Sequence, residues 1–175
     1  MIKSKKVNQL CSPFCGKFDN IVLICPTFAY NRTLYRFAER DPRLNVIICE
    51  QHKVEDCLKV TSYYFQGTNT VIVLDDWAAS KDVKGRTGEL VKLGFSVRHA
   101  GISVWVLTQQ LSSIAKPFPE NVAAIVLFYT PSKTIKAIFE EYAGELSHDE
   151  IKQIITRLKE WRFAHLIFFV PPFFY

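Results

Sequence analysis

Two adjacent carboxylates, Asp75 and Asp76, stand at the end of a short apolar run over residues 70–74. The run predicts a buried strand, and open α/β sheets bind their ligands at the carboxyl ends of the strands. One carboxylate at such a place can hold Mg²⁺ directly or through water, and its neighbour can orient or deprotonate an attacking water. Strand-end acids also commonly cap the next turn. The pair alone therefore leaves a catalytic and a structural interpretation open.

A second predicted strand, over residues 102–108, is followed by Gln109 and Gln110. A side-chain amide at the carboxyl end of a strand can hydrogen-bond a γ-phosphate or the attacking water. Taken alone this feature is weak. Because the acidic strand precedes it by about thirty residues, the two strand ends are more informative together than apart.

The segment between these two strands carries Arg86 and Arg98. Either arginine can reach a phosphate, and one that is presented to a neighbouring subunit can act as an arginine finger. Both also fit the simpler role of solvated cations, and Arg98 suits the end of a helix. The adjacent His99 is interpreted as structural rather than catalytic.

Strand and helix patterns alternate along the whole chain. Apolar runs with β-branched residues predict strands that are covered on both faces, at residues 21–25, 46–49, 70–74, 102–108, 123–129 and 166–170. Between them lie helical patterns: one capped by Asn31, two over roughly 54–64 and 87–98, one from Ser132 to Gly144, and one behind a capping box of Ser147 and Glu150. Such alternation predicts an α/β fold with a mainly parallel, doubly wound sheet.

The size and charge of the chain fit one globular domain with a basic tail. The chain has 175 residues, of which 49% are hydrophobic and 22% charged, which excludes a disordered, collagenous or coiled-coil protein. Residues 1–17 carry four lysines and no acid, whereas the rest of the chain is nearly neutral. We therefore predict a basic N-terminal tail over residues 1–15 and a domain over residues 16–175. The net charge of +5 is weak support for nucleic-acid binding.

The cysteines and the chain ends indicate an intracellular protein. Cys25 and Cys49 lie in apolar runs and are interpreted as small buried residues in a reducing compartment. Cys11 and Cys15 have no second Cys or His pair at zinc spacing. The sequence shows neither a signal peptide nor an apolar stretch long enough to span a membrane. The expected location is the cytoplasm or nucleus, or a virion.

Several of these segments together resemble a known family. Residues 70–80, 85–110 and 121–129 resemble the DNA-packaging ATPases of the FtsK/HerA superfamily, in the poxvirus-type branch that also occurs in giant viruses and Polinton/Maverick transposons. Residues 21–28 resemble a strand and turn that are typical of that branch. The resemblance covers roughly residues 16–146.

The resemblance implies a RecA-like P-loop NTPase, a three-layer sandwich whose ring oligomers use ATP and Mg²⁺ to drive double-stranded DNA through a capsid portal. In that family Asp75 would serve Mg²⁺ in a Walker B motif and Asp76 the attacking water. Gln109 would sense the γ-phosphate. Arg98 is the candidate catalytic arginine on the residue argument given above. The implied partners are double-stranded DNA, capsid or portal proteins and further copies of the chain, with no membrane.

The chain departs from the family at the nucleotide-binding motif. GxxxxGK[ST], whose backbone amides and lysine cradle the phosphates, does not occur in it, and the pair Gly16-Lys17 is followed by Phe18. Since few residues precede this point, we expect an N-terminally truncated domain without the P-loop strand. The two strands that normally flank that strand would then have unpaired backbone groups. We also expect no ATPase activity from the chain as written.

Two other interpretations stay open. The first is a non-catalytic remnant, or an interaction module, of a viral or transposon-derived gene. The second is a metal-dependent hydrolase that uses Asp75 and Asp76 without a P-loop. The hydrolase would need further metal ligands at other strand ends, and Glu50 and His52 are the candidates.

Overall fold

The computed structural model describes residues 17–30, 32–39, 41–75, 88–108, 121–129, 132–142, 146–160 and 165–169. The chain divides into two compact units, Met1–Glu120 and Asn121–Tyr175. The predicted tail over residues 1–15 lies outside the described residues. No helix in the described ranges is both long enough and apolar enough to span a membrane.

The first unit contains a parallel four-stranded sheet with helices between its strands. Its strands are β1 (Asn20–Ile24), β2 (Leu44–Ile47), β3 (Thr70–Asp75) and β4 (Ile102–Leu107), and its helices are α1 (Arg32–Ala38), α2 (Val54–Tyr64) and α3 (Glu89–Ala100). The strand order is β2-β1-β3-β4, and every pairing in it is parallel. This confirms the predicted α/β class with a mainly parallel sheet.

The two central strands, β1 and β3, are apolar at almost every position and are buried on both faces, whereas β2 and β4 are mostly partly exposed. One face forms a cluster in which Leu23, Phe28 and Val73 are buried. On the other face Ile24 and Ile72 are fully buried. Helix α2 contributes buried residues at helical spacing, Val54, Leu58 and Thr61. Strand β3 is buried along its whole length, so Asp75 at its carboxyl end is buried as well.

Two glycines form the turns that lead into β3 and β4. Gly67 and Gly101 have φ angles of 79° and 69°, which favour glycine because a Cβ atom is strained there. The Gly67 N–H donates to the Ala100 carbonyl at 2.8 Å, and the Thr70 N–H donates to the Gly101 carbonyl at 3.2 Å. The two turns are therefore joined at the amino ends of β3 and β4.

A charged pair fixes the turn that precedes β2. The Arg43 guanidinium donates to both carboxylate oxygens of Asp41, at 2.9 and 2.7 Å, and also to the Phe18 carbonyl at 3.3 Å. These hydrogen bonds from Arg43 hold the pKa of Asp41 below its usual range. The charged form of Asp41 therefore stabilises this turn.

Replacing Asp41 by Asn is expected to destabilise the protein by about 1 kcal/mol near neutral pH, because it removes the charge that Arg43 contacts. The effect should depend on pH with a definite sign. A lowered folded-state pKa gives stability that is present above the unfolded value of about 3.9 and is lost as the pH falls through the folded pKa. Urea unfolding at several pH values measures it. The difference between the two proteins should close in acid, and the exposed-site variant Asp19→Asn should show a smaller difference throughout.

The second unit pairs two helices with a two-stranded sheet. It contains β5 (Ala124–Phe128), α4 (Ser132–Tyr142), α5 (His148–Glu160) and β6 (His165–Phe169). The predicted capping box starts α5: the Ser147 N–H and hydroxyl donate to the Glu150 carboxylate at 2.8 and 2.7 Å. These hydrogen bonds lower the pKa of Glu150. The helices bury apolar residues at helical spacing, Ile135, Ile138, Phe139, Ile151, Ile155 and Leu158.

Strand β6 runs antiparallel to β5, which the simple alternation of strands and helices did not predict. When one helix connects two strands, it brings the chain back to the end of the sheet at which the first strand began, so the next strand is parallel to the first. Two helices lie between β5 and β6, and the second helix brings the chain to the opposite end of the sheet. Strand β6 therefore runs antiparallel to β5.

Each of β4 and β5 has one paired edge. Among the described residues, β4 pairs only with β3, and β5 pairs only with β6. The sequence predicted unpaired backbone groups on the two strands that flank the P-loop strand in RecA-like sheets. Because β2 at the other edge of the sheet is also paired on one side only, this pairing does not test the expectation, which stays a prediction.

Candidate functional site

The strand order defines where this sheet would bind a ligand. The chain leaves β1 through α1 to reach β2 on one side, and α2 then carries it to β3 on the other side of β1. In an open α/β sheet, ligands bind outside the carboxyl ends of the strands at the point where the order reverses. That point lies between β1 and β3. The topology thus selects the same strand end as the acidic motif does.

A buried thiol and a buried carboxylate meet at this point. Ile24 and Leu74 are partners in the β1–β3 register, and Cys25 and Asp75 follow them. The Cys25 thiol donates to the Asp75 Oδ2 atom, with 3.8 Å between sulfur and oxygen. Cys25 is 0% and Asp75 3% exposed. Because a buried carboxylate needs polar partners, this contact helps to orient Asp75.

Thr27 connects the pair to the protein surface. Its hydroxyl lies 3.5 Å from the Cys25 sulfur, and the residue is exposed. The turn that contains Thr27 is held in place because the Phe28 N–H donates to the Cys25 carbonyl at 3.4 Å and the Phe28 ring is buried. Polar groups therefore run from the surface at Thr27 through Cys25 to Asp75.

The neighbouring strand brings its own carboxyl end to the same side. Asp75 is the register partner of Leu107, the last residue of β4. The predicted sensor Gln109 comes two residues later and lies outside the described residues, as do Asp76 and Arg86.

The predicted arginine belongs to a described helix. Arg98 lies in the last turn of α3, but its side chain is not among those described. The neighbouring His99 is exposed. The roles of Asp76, Gln109 and Arg98 therefore stay predictions, and of the four predicted site residues only the Asp75 side chain can be placed.

The site fits Mg²⁺ better than it fits the nucleotide. A carboxylate oxygen is the ligand type that Mg²⁺ prefers, and this ion usually keeps several waters and needs only one or two carboxylates. Among the described residues no group of three or more His, Cys, Asp or Glu could hold a metal by itself. For ATP the residues needed to cradle the phosphates, GxxxxGK[ST], do not occur in the sequence given, so the nucleotide contacts are taken up only as proposals below.

The candidates for a P-loop-independent metal site are engaged elsewhere. Glu50 lies 3.3 Å from the His52 Nε2 atom and 3.4 Å from the Lys53 ammonium. The Glu50 and His52 side chains are 67% and 72% exposed, so they form a solvated surface group. Within the described part of the chain, no metal cluster therefore supports the hydrolase interpretation.

The two cysteines that were predicted to be buried differ in how far they are buried. Cys25 is fully buried, as predicted, whereas Cys49 is only partly buried. Burial raises the pKa of the Cys49 thiol to about 12, and the nearby Cys57 thiol raises it as well. At neutral pH Cys49 is therefore a neutral thiol and a poor nucleophile.

Sequence reasoning missed the contact of Cys25 with Asp75. Each residue directly follows a run of four buried apolar residues, 21–24 and 71–74. This shared offset was the available signal. It becomes meaningful only once β1 and β3 are known to be neighbours in register.

These features define a class of fold: the chain has the fold of the viral genome-packaging NTPases. It is similar to the genome packaging NTPase B204 from Sulfolobus turreted icosahedral virus 2 in complex with AMPPCP, with a TM-score of 0.68 and 15% identity over 96% of this chain and 88% of that one. B204 from Sulfolobus turreted icosahedral virus, a DNA-packaging ATPase, gives a TM-score of 0.63 and 18% identity over the same shares of the two chains.

A bacterial protein shares the fold more distantly. EssC (ATPases 2 and 3) from Geobacillus thermodenitrificans has a TM-score of 0.56 and 12% identity, over 90% of this chain and 41% of that one. No protein-family model matches the chain, and no curated protein matches it in sequence. At these identities the likeness shows the fold. The resemblance to the packaging ATPases is thus confirmed at the level of fold.

Proposed function

We propose that this chain is the part of an ATP-driven motor for packaging double-stranded DNA that carries the Mg²⁺-binding strand and the sensor strand. The observation that carries the proposal is the buried Asp75 carboxylate at the carboxyl end of β3, where the strand order reverses. The likeness of the fold to B204 supports it.

The proposed roles combine the observed place of Asp75 with the predicted roles of the other three residues. Asp75 holds Mg²⁺, directly or through water, in an orientation that Cys25 helps to fix. Asp76 orients the attacking water, and Gln109 at the end of the neighbouring strand contacts the γ-phosphate. Arg98 reaches the nucleotide of an adjacent copy in a homo-oligomeric ring. The DNA and the capsid or portal proteins are the proposed partners of that ring.

The chain as printed is expected to show no ATP turnover, because no backbone cradle for the phosphates is encoded in it. Phosphate release with Mg²⁺ and ATP should equal the rate without protein, and the variant Asp76→Asn should not change it. Mg²⁺-dependent turnover that this variant abolishes would contradict the expectation.

The motor itself is tested by reading the coding region upstream of Met1. If an in-frame GxxxxGK[ST] is found there, the extended chain can be expressed. Its DNA-stimulated ATP hydrolysis should fall by about 100-fold or more in the variant Asp76→Asn, since Asp76 is proposed to act on the attacking water. Asp19→Asn, an exposed carboxylate far along the chain, is the matched control. Hydrolysis that survives in Asp76→Asn would refute the proposed site.

The alternative is a non-catalytic remnant or interaction module of a viral or transposon-derived gene. The missing phosphate-binding motif is the observation that favours it. If Met1 proves to be the true start, Asp75, Asp76 and Gln109 are inherited architecture and the chain does not hydrolyse ATP.

A further inference from the structure

We infer that the segment leaving the carboxyl end of β1 is a surface that binds the phosphate backbone of a nucleic acid. The surface, called the Arg-Tyr face below, consists of Tyr30, Arg32, Tyr35 and Arg36. It gives the proposed DNA motor a specific contact region and in that sense rests on the proposed function. The geometry that supports it does not involve the nucleotide site.

Three of these residues lie on one face of α1, and the fourth, Tyr30, is exposed shortly before the helix. Arg32, Tyr35 and Arg36 are spaced i, i+3 and i+4 on α1, which places them on one face of the helix. All three are exposed, Tyr35 by 54%, and Tyr30 just before the helix is 90% exposed. The two arginines are about 6 Å apart along the helix axis, a spacing that lets them follow one strand of a polyanion.

Within the described ranges, the arginines of this face have no acidic partner. Neither Arg32 nor Arg36 forms an ion pair with any residue that the structure describes, and the first turn of α1 contains no acid. Glu39, an exposed acid just after the helix, pairs with neither of them within the described ranges. Other cations of the same unit are paired: Arg43 with Asp41, Lys53 with Glu50, and Lys92 with Glu89.

One tyrosine of the face is held in place by the core. The Tyr35 ring lies 6.2 Å from the Phe28 ring, centroid to centroid, at 40° between their planes. Phe28 is buried in the cluster on that face of the sheet. Tyr30 ends a short 3-10 helix, where its N–H donates to the Thr27 carbonyl at 3.1 Å. The Tyr35 ring is thus packed on the core, and the backbone of Tyr30 is fixed by a turn.

This combination suits a nucleic-acid backbone. The guanidinium group presents a planar fork of donors that matches phosphate oxygens, and tyrosine hydroxyls are among the groups that contact phosphates in protein–DNA complexes. The face also begins five residues after Cys25, so it is close in sequence to the switch point of the sheet. An acidic protein partner would match the charge but would give no reason for exposed tyrosines beside the arginines.

The test compares two double variants that remove the same charge. Arg32→Gln with Arg36→Gln changes the face, and Lys53→Gln with Lys92→Gln changes paired cations elsewhere in the first unit. Binding to a labelled duplex of about 20 base pairs is followed by fluorescence anisotropy without nucleotide, at several salt concentrations. The N-terminal lysines are present in all variants, so their contribution cancels. Thermal melts confirm that each variant is folded.

The expected result is a loss of about tenfold or more in affinity for the arginine variant near 0.1 M salt, with the slope of log K against log salt reduced by about 1.8, since each phosphate contact contributes about 0.9. The lysine variant should keep the slope. Tyr30→Phe, which removes only a hydroxyl, should weaken binding without changing the slope.

The inference would be overturned if the arginine and lysine variants bound the duplex with equal affinity and equal salt dependence. Equally tight, equally arginine-dependent binding of a poly-glutamate peptide would also overturn it, because the face would then recognise charge alone. Since no nucleotide is used, a failure here is distinct from a failure of the proposed ATPase site, which the Asp76→Asn measurement reports.

Discussion

Replacing Ile72 by Ala is expected to lower the free energy of unfolding of the first unit by about 2–5 kcal/mol, the range for removing a large aliphatic side chain from a core. Ile72 is fully buried in β3, with Val22 and Val104 as its register partners on the two sides. The neighbouring strands hold the backbone on both edges, so the cavity cannot collapse easily. Urea unfolding followed by circular dichroism measures the loss.

The matched control is Ile48→Ala, which removes the same atoms from a side chain that is 57% exposed. This change should stay within about 0.5 kcal/mol of the parent protein. If Ile48→Ala destabilised the chain as much as Ile72→Ala, β3 would not be the centre of the core. The position of Asp75 at its end would then lose its structural support.

Replacing Gly101 by Ala is expected to cost about 2–4 kcal/mol, because two effects add. The φ angle of 69° disfavours any residue with a Cβ atom by about 1–2 kcal/mol. In addition, a Cβ atom at Gly101 would lie 2.9 Å from the Thr68 carbonyl oxygen, a backbone atom that cannot move away easily. The Gly101 carbonyl accepts from the Thr70 N–H, so the strain falls on the start of β3.

Gly67→Ala separates the two effects. Gly67 has a similar φ angle of 79°, but a Cβ atom there would meet nothing within 4 Å. Only the conformational term of about 1–2 kcal/mol should remain. Thermal or urea unfolding of both variants gives the comparison, and equal losses would show that the close approach to Thr68 is unimportant.

The elements themselves were predictable because they depend on local patterns. The helix predicted over residues 54–64 is observed at Val54–Tyr64, since its apolar residues recur at helical spacing and its first turn is acidic. The capping box of Ser147 and Glu150 forms as predicted because both partners lie within one turn. Each of these signals is complete within a dozen residues.

The arrangement of the strands was less predictable because it depends on distant partners. Nothing in the apolar run of β1 states that it pairs with both β2 and β3. The reversed direction of β6 follows from counting two helices after β5, which a general rule for alternating elements overlooks. Strand pairing uses backbone groups that every sequence carries, so it leaves little trace in one sequence.

The candidate site shows the same division. The placement of Asp75 at a strand end follows from the apolar run before it, and the structure agrees. The role of Cys25 could not be predicted, because its contact with Asp75 requires the β1–β3 register. The roles of Asp76 and Gln109 were inferred from the strand ends and from the family resemblance, and that of Arg98 from its residue type and position. All three roles remain predictions.

The contact between Cys25 and Asp75 has a consequence for the order of folding. It joins residues 50 positions apart, and the intervening chain forms α1, β2 and α2. Such non-local contacts form late, because the entropy of closing the long loop is lost before the contact is gained. During synthesis from the N-terminus, β1 and its partner β2 emerge from the ribosome before β3, so the contact of Cys25 with Asp75 can form only after β3 has emerged. Asp75 therefore reaches its final position only when β1 and β3 pair.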